Sequence, residues 1–185
     1  MQGTGTNRRK LIVSTIIFVV VIALLILIDQ LTKLYFKTNY TSGDEKYVID
    51  GFFYFTYTFN TGAAFSFLAN KAWAQTFFKN LSSVAIVAFI LFFIFARKRK
   101  YKVLSIALVC VISGTIGNFI DRIRFDGVVD FIGLIFFGWR FPVFNVADIC
   151  MCVGVIMVIV HFLFLDKNAL FRRNGKKKLS NNDNK

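Results

Sequence analysis

The sequence predicts an α-helical integral membrane protein with four transmembrane helices, a small extracytoplasmic β-sheet and a second extracytoplasmic loop. First, 56% of its 185 residues are hydrophobic, whereas a soluble domain is usually about 45–50% apolar. Second, the apolar residues form four long runs, and a membrane-spanning helix needs roughly 17–25 residues. Third, a segment between the first two runs has aromatic residues at every second position, which is the period of a β-strand.

The four apolar runs define the predicted spans, which lie at about residues 11–28, 73–96, 103–120 and 146–165. The first run carries no charge and follows a basic start, so a cleaved signal peptide is the alternative interpretation. It lacks a small-x-small cleavage site, and Asp29-Gln30 follows it directly. We therefore interpret this run as a retained first span.

The distribution of charge predicts the orientation of these spans. Fifteen of the 23 basic residues flank the spans on one side, and eight of the 10 acidic residues fall on the other. The positive-inside rule then places both termini in the cytoplasm. We attribute the net charge of +13 to topology and to attraction for anionic lipid. Membrane lipid is thus a predicted partner, and nucleic acid is not.

Residues 1–166 are predicted to form a single four-span domain, with residues 1–10 as a cytoplasmic tail. Residues 167–185 are rich in Lys, Arg and Asn and are predicted to be a basic, disordered cytoplasmic tail. Cys110, Cys150, Cys152 and the single histidine, His161, lie in predicted spans. Their spacing is that of neither a disulfide framework nor a zinc site. We predict no metal and no cofactor.

Two segments between the spans are predicted to lie outside the membrane. The alternating aromatic residues at 53–59 predict a β-strand, whose aromatic face would rest at the membrane interface. Asp50-Gly51 is a turn signal, so residues 47–49 are the predicted partner strand. The second segment, residues 122–144, is predicted to be an extracytoplasmic loop.

Polar residues at the outer ends of the spans are the candidate functional residues. An ionisable side chain at depth in lipid costs at least about 2.5–3.5 kcal/mol, so its presence suggests a function. Asp29 and Lys33 lie four residues apart at the end of the first span. They form either an ordinary helix salt bridge or a supporting part of a site.

The third span ends in a second polar group. Asn118, Asp121 and Arg122 share one helix face, and Arg122 is of a type that can form a bidentate pair with a carboxylate. Gly114 and Gly117 lie one turn earlier. Close packing of another helix is by itself a sufficient explanation for these two glycines.

A third polar group surrounds the start of the fourth span. Burial of Asp130 among large apolar residues would raise its pKa, although a strand-edge or cap aspartate is the alternative. Asn145 and Asp148 open the span, where an N-cap and the helix dipole provide an alternative explanation. The dipole would keep Asp148 ionised while Asp130 is protonated, and such a pair can activate water and protonate a scissile carbonyl. Such a cluster can also bind a hard cation, but the nearby Lys33 and Arg122 argue against one.

Four short blocks contain these polar residues. They are DQLTK at 29–33, NTGAAFS at 60–66, GTIGNFIDR at 114–122 followed by VVDF at 128–131, and FPVFNVAD at 141–148. In this order and on four spans, the blocks resemble those of bacterial lipoprotein signal peptidase, the type II signal peptidase. The resemblance covers about residues 11–165. Ser113 departs from the family pattern, in which a smaller residue, often Gly, precedes Gly114.

The resemblance implies an aspartic endopeptidase whose catalytic dyad is Asp130 and Asp148. The implied substrate is a bacterial prolipoprotein whose cysteine carries diacylglyceryl, with cleavage just before that cysteine. We expect a monomer in the bacterial cytoplasmic membrane, with the active site at the outer leaflet. The residues expected to bind substrate or support the site are Asn60, Asn118, Arg122, Asn145, Asp29, Lys33, Gly62 and Asp121.

Two other functions compete with a peptidase. A proton- or ion-coupled transporter also places carboxylates in the membrane, but polar residues at one end of four spans give no pathway across. A non-enzymatic scaffold explains the topology but not the polar cluster. Flux in liposomes that Asp130→Asn abolishes would support the transporter, and normal processing after replacement of both aspartates would support the scaffold.

Overall fold

The computed structural model describes residues 3–62, 71 and 73–166, with the side chains from residue 9 onward. The elements in chain order are helix α1 (Gly3–Asn39), strands β1 (Glu45–Ile49) and β2 (Phe53–Asn60), helices α2 (Ala74–Lys98) and α3 (Lys102–Phe125), strands β3 (Val128–Phe136) and β4 (Trp139–Arg140), and helix α4 (Val146–Val160), which continues as a π-helix (His161–Leu165). Residues 63–66 of the second sequence block and the predicted tail at 167–185 lie outside the described residues.

Four helices are long and apolar enough to cross a membrane, which confirms the predicted spans: Arg9–Asn39, Ala74–Lys98, Lys102–Phe125 and Val146–Leu165. Helix α1 extends beyond the predicted first span, because residues 3–10 of the predicted cytoplasmic tail are also helical. This segment contains no proline and leads directly into the apolar run. Helical hydrogen bonds propagate easily into such a segment once the helix exists.

Helix α3 is the centre of the helical bundle. In its most apolar window of 18 residues, 61% of the residues are buried, against none in α1 and 11% in α2 and α4. Phe93 and Ala96 of α2 form a buried cluster with Leu104, Leu108 and Ile112 of α3. The exposed apolar side chains of the outer helices suit a lipid environment, which is as apolar as they are.

Glycines allow α3 and α4 to approach closely. A Cβ atom on Gly114 would lie 2.2 Å from the backbone oxygen of Ala147, and one on Gly117 would lie 2.6 Å from Oδ2 of Asp29. Gly154 of α4 meets the α3 backbone in the same way. The predicted close packing at Gly114 and Gly117 is confirmed, and it brings the first turn of α4 against the C-terminal half of α3.

The four strands form one antiparallel sheet in the order β1-β2-β3-β4. The predicted β1–β2 hairpin is confirmed, with Tyr47 opposite Tyr54. Residues 122–144, predicted as a loop, are corrected by the structure, since they contribute β3 and β4 to the same sheet. In β3, Val128 lies opposite Asn60. The β-branched, apolar start of β3 suits a buried strand, because β2 satisfies its backbone hydrogen bonds.

The sheet rests on the C-terminal end of α1. The ring of Phe36 stacks on Phe131 with their centroids 4.3 Å apart, and it lies 5.0 Å from the ring of Phe55. Within the sheet, Tyr54 covers Gly133, where a Cβ atom would lie 2.2 Å from the tyrosine ring. These contacts fix β3 relative to the helices and therefore fix the polar residue that β3 carries.

Candidate active site

Two carboxyl groups lie where the start of β3 meets the start of α4. Asp130 is the third residue of β3 and is only 3% exposed, and Asp148 is the third residue of α4. The fully buried Asn145 contacts both. Its Nδ2 donates to Oδ1 of Asp130 at 2.7 Å, and its backbone N–H donates to Oδ2 of Asp148 at 3.1 Å.

Helix α4 begins with a capping box, which confirms the predicted N-cap at Asn145. Its Oδ1 accepts a hydrogen bond from the backbone N–H of Asp148 at 3.0 Å, and the carboxylate of Asp148 accepts one in return. The box satisfies two backbone donors that the helix itself cannot. It also holds the Asp148 carboxylate at the positive end of the helix dipole, which stabilises its charge.

Two further amides hold the remaining carboxyl oxygens. Asn60, the last residue of β2, donates from Nδ2 to Oδ2 of Asp130 at 3.1 Å. Asn118 of α3 donates from Nδ2 to Oδ1 of Asp148 at 2.8 Å. All four carboxyl oxygens therefore accept a hydrogen bond. These donors are neutral, so they orient the two carboxyls without neutralising their charge.

Burial raises the pKa of Asp130 to about 7 from an ordinary 3.8. Desolvation is the largest cause and the negative charge of Asp148 is the second, while the amides of Asn60 and Asn145 act in the opposite direction. The predicted rise in the pKa of Asp130 is confirmed. Because the two carboxyls interact, the proton present near neutral pH belongs to the pair.

A buried charged cluster lies behind the carboxyl pair. Lys33, 3% exposed, lies 2.9 Å from Oδ2 of Asp29 and 3.2 Å from Oδ2 of Asp121, and its Nζ donates to Oδ1 of Asn118 at 2.9 Å. Asp29 and Asp121 are each 1% exposed. The three protons of the ammonium group thus have three acceptors. The Asp29–Lys33 pair is therefore part of a larger network and not an isolated helix salt bridge.

The carboxylates of this cluster hold the backbone next to the carboxyl pair. Oδ1 of Asp29 accepts from the N–H of Ala147, the residue directly before the α4 carboxyl, at 2.9 Å. Oδ2 of Asp121 accepts from the N–H of Val129, the residue directly before the β3 carboxyl, at 3.1 Å. Since Lys33 binds both carboxylates, a single ammonium group ties the start of α4 to the start of β3.

Arg122 lies at the edge of the site, beside the cavity. Among the described residues, it contacts the carbonyls of Asn118 and Gly62 and the ring of Phe78. Nη2 donates to the carbonyl of Gly62 at 3.1 Å, and the guanidinium carbon lies 5.3 Å from the centroid of the Phe78 ring. The N–H of Gly62 donates to Oδ1 of Asn60 at 2.9 Å. Arg122 therefore holds the chain directly after β2.

The structure brings all ten predicted site residues into one hydrogen-bonded network. Gln30 is absent from the predicted set, yet it belongs to this network. Its Nε2 donates to Oδ1 of Asp121 at 2.9 Å and to the carbonyl of Gly117 at 3.2 Å. Its place beside Asp29 in the first sequence block is the signal that could have identified it.

A cavity of about 700 Å³ opens beside the carboxyl pair. The two carboxyls, Asn60, Asn118 and Arg122 form its polar end. Much of the remaining wall is apolar and includes Ile149, Val153 and Ile156, whose spacing places them on one face of α4. The cavity thus offers polar groups at one end and an apolar surface along α4.

Comparison with known proteins identifies the family. Residues 21–164 match the family described as signal peptidase (SPase) II. The chain is 37% identical over 152 residues to a lipoprotein signal peptidase of Bacillus pumilus (strain SAFR-032), and the match covers 82% of this chain and 96% of that protein.

Two solved structures, both of bacterial membrane enzymes, have the same fold. Their TM-scores are 0.72 and 0.68, with 34% and 32% sequence identity. Each covers 79% of this chain, and the matches span 87% and 92% of the solved chains. These similarities do not support the transporter alternative. This multi-pass bacterial membrane protein therefore belongs to the signal peptidase II family of aspartic peptidases, as the four sequence blocks predict.

Proposed function

We propose that Asp130 and Asp148 form the catalytic dyad, and that the substrate is a diacylglyceryl-modified prolipoprotein cut directly before the modified cysteine. As a signal peptidase II, the chain removes signal peptides from prolipoproteins. One observation carries the assignment of the dyad. Asn145 hydrogen-bonds to both carboxyls and holds them at one end of a cavity, where both can reach one peptide bond.

The proposed chemistry is general acid–base catalysis of water attack. The ionised carboxyl takes a proton from water as the water oxygen bonds to the scissile carbonyl carbon, and the protonated carboxyl donates to the carbonyl oxygen. When the tetrahedral intermediate collapses, the C–N bond breaks and the carbonyl re-forms. One hydroxyl proton returns to the dyad, and the dyad protonates the leaving amine. The dyad begins and ends with one proton, so the cycle needs no cofactor.

The electrostatics of the site support a dyad that holds one proton at rest. Burial and the charge of Asp148 raise the pKa of Asp130 to about 7, which favours retention of one proton by the pair near neutral pH. Asp148 lies at the N-terminus of α4, where its negative charge is favoured. The negative charge of Asp148 is itself a cause of the raised pKa of Asp130, so the pair favours holding one proton between its two carboxyls, as acid–base catalysis by a carboxyl pair requires.

The remaining network residues would orient the dyad or bind the substrate backbone. We assign orientation of the carboxyls to Asn60, Asn118 and Asn145, because each donates directly to a carboxyl oxygen. Arg122 and Gly62 would frame the cavity where the peptide enters. The buried cluster of Asp29, Lys33 and Asp121 would keep the two carboxyls at a constant separation.

The topology supports an active site at the outer leaflet. The turn between α2 and α3 is strongly basic, and the positive-inside rule places it with both termini in the cytoplasm. Both carboxyls lie at the other end of the bundle from this turn, where α3 ends and α4 begins. Lipid tails on the substrate cysteine would anchor the scissile bond at this level. The bond would then be held beside the carboxyls, which lowers the entropic cost of bringing it to them. We expect one chain, folded as a single domain over residues 1–166, to be sufficient.

The experiment is cleavage of a diacylglyceryl-modified prolipoprotein by the purified full chain in detergent. Asp130→Asn and Asp148→Asn should each lower the rate by at least about 10²-fold, as expected for loss of a general acid or base. Asp126→Asn is the matched control. This aspartate lies four residues before the dyad residue of β3, its side chain is 71% exposed, and Asn also tolerates its positive φ of 59°.

The outcomes separate the two parts of the proposal. Cleavage that survives either dyad substitution in a folded variant would move catalysis to another residue. Equal cleavage of the same precursor without its diacylglyceryl group would leave the dyad intact but contradict the lipid requirement.

A further inference from the structure

We propose that the end of the sheet remote from the active site is a membrane anchor that inserts into the lipid interface. We call this end the tip and define it as the turns at residues 49–52 and 136–139 together with Phe141. The register of β2 and β3 places it opposite the active site, since Asn60 pairs with Val128 at one end and Phe53 pairs with Leu134 at the other.

The tip is one continuous apolar surface. The ring centroids of Phe52 and Phe136 lie 5.6 Å apart, those of Phe136 and Phe141 lie 6.5 Å apart, and those of Trp139 and Phe141 lie 5.7 Å apart. A backbone hydrogen bond from Ile135 to Phe52 at 2.8 Å joins the two turns. Trp139 is 56% exposed and Phe136 is 41% exposed. An exposed apolar patch of this kind marks an interaction surface.

Phe137 shows that this surface is not a by-product of folding. Its side chain is fully exposed, and its φ is +50°, followed by Gly138 with a φ of +81°. Two successive positive φ values are those of a type I′ turn, which favours Asn-Gly. A bulky residue at positive φ is strained. The turn itself therefore disfavours Phe137, and a contact outside the chain explains why an aromatic ring is placed there.

The tether to the helical bundle identifies lipid as the partner. Only two residues separate the end of α3 from β3, so the sheet stays beside the bilayer. From Asp130 to Phe136 the strand extends about 20 Å at roughly 3.3 Å per residue, so the tip is outside the active site. Trp73 and Phe77, both exposed at the start of α2 on the same side of the bundle, have the composition of an aromatic belt at the interface.

A polar rim borders the tip, as in other elements that lie in a membrane interface. Arg140 donates to both carboxylate oxygens of Glu45 and, at 3.2 Å, to the hydroxyl of Tyr47. Within the tip itself, Asp50 is the one charged residue. The attachment is therefore hydrophobic, and it does not require anionic lipid.

The test uses the full chain in vesicles of phosphatidylcholine that carries bromine near the top of its acyl chains. The protein has two tryptophans, so Trp73→Phe leaves Trp139 as the single reporter. Bromine should quench Trp139 fluorescence, and addition of Phe137→Asn should remove most of this quenching. Asn suits a positive φ, so the substitution preserves the turn while it deletes the ring.

A matched control checks that the variant remains inserted and folded. In Trp139→Phe, Trp73 reports on the start of α2, and its quenching should be the same with and without Phe137→Asn. A Trp139 that bromine leaves unquenched would overturn the proposal. Quenching by aqueous iodide would then mean that the tip lies in water, and protection from iodide would mean that a second copy or another protein covers it. Added anionic lipid should change nothing, and quenching that depends on it would contradict a hydrophobic anchor. These readouts do not depend on the identity of the catalytic residues.

Discussion

The buried ion pairs of this protein and its exposed ones have similar distances but different consequences. Lys33 and Asp29 lie 2.9 Å apart with side chains that are 3% and 2% exposed. Lys79 and Asp126 lie 2.5 Å apart with side chains that are 27% and 71% exposed. Removal of one buried partner leaves an unpaired charge in a medium of low dielectric. At the surface, water replaces the lost partner.

The comparison also separates two structural roles. The exposed pair joins α2 to the end of α3 through side chains alone. In the buried cluster, the two carboxylates also bind the backbone N–H groups of Ala147 and Val129. The distance between two charges therefore does not predict how much an ion pair contributes to stability. Its importance follows from what else the charged groups hold and from what its loss would leave unpaired.

The largest effect is expected for Lys33→Met, because it leaves Asp29 and Asp121 buried without their cation. Loss of one partner from a buried pair typically costs about 3–5 kcal/mol. The matched Lys79→Met should cost only about 0–1 kcal/mol. Thermal unfolding of both variants in detergent measures the difference. Equal melting temperatures would contradict the distinction, and Asp29→Asn added to Lys33→Met should restore part of the stability.

The next effect is a gain of stability in Asp130→Asn that depends on pH. The pKa of Asp130 is raised in the folded chain from 3.8 to about 7, so the folded state binds the extra proton. Its stability therefore falls as the pH rises through this window. The neutral variant avoids that loss, so its free energy of unfolding at pH 8 should exceed that of the parent by an amount on the order of a few kcal/mol. Its melting temperature at pH 8 should be correspondingly higher. The excess should shrink toward pH 5, and an excess independent of pH would contradict burial of an ionised carboxylate.

Gly117→Ala should lower the stability by an intermediate amount, because it places a methyl group against the buried cluster without changing a charge. The new Cβ atom would lie 2.6 Å from Oδ2 of Asp29, so the carboxylate or the helix must shift. Such overpacking typically costs about 1–3 kcal/mol. Ser113→Ala on the same helix is the control, since the Ser113 hydroxyl donates to the carbonyl of Val109, one turn earlier in the helix. A Gly117→Ala variant as stable as this control would show that α1 moves away freely.

The smallest effect is expected for Glu45→Gln at the exposed rim of the sheet. The hydrogen bond from Arg140 holds the pKa of Glu45 below its usual 4.5. Any stability from this pair is therefore present above that pH and lost as the pH falls through the lowered pKa. Because solvent screens the pair, the melting temperature near neutral pH should not change measurably. A fall in melting temperature as large as that of Lys33→Met would mean that solvent exposure does not distinguish the weak ion pairs from the strong ones.

The spans and the polar site residues were predictable because a membrane-spanning segment must be almost entirely apolar, so any polar residue within it is conspicuous in the sequence. A run of apolar residues gives the span, and a carboxylate within it stands out on energetic grounds. Strand β3 was not predictable by the same means. Val128 through Phe131 are all buried, so the strand lacks the alternation that identified β2. The hairpin of β1 and β2 was recognisable because β2 has an aromatic residue at every second position from Phe53 to Phe59.

The connections within the site also depend on packing that no local pattern contains. The spacing of Asp29 and Lys33 predicts that they meet, but not that Lys33 also reaches Asp121. Gln30 joins the network only because α1 lies against α3 at that height. Arg122 illustrates the opposite case, in which a residue type suited to carboxylates contacts a carbonyl of the segment that follows β2.

The hydrogen bond between Asp29 and Ala147 has a consequence for biogenesis. The two residues are 118 positions apart, which corresponds to roughly 6–24 s of translation at 5–20 residues per second. During that interval the first helix carries a carboxylate whose backbone partner has not yet been synthesised. The buried network around Asp29 is therefore complete only after the last helix has been made. Because the proposed dyad residue Asp148 lies on the same helix, the proposal implies that a nascent chain stalled before that point has no hydrolytic activity.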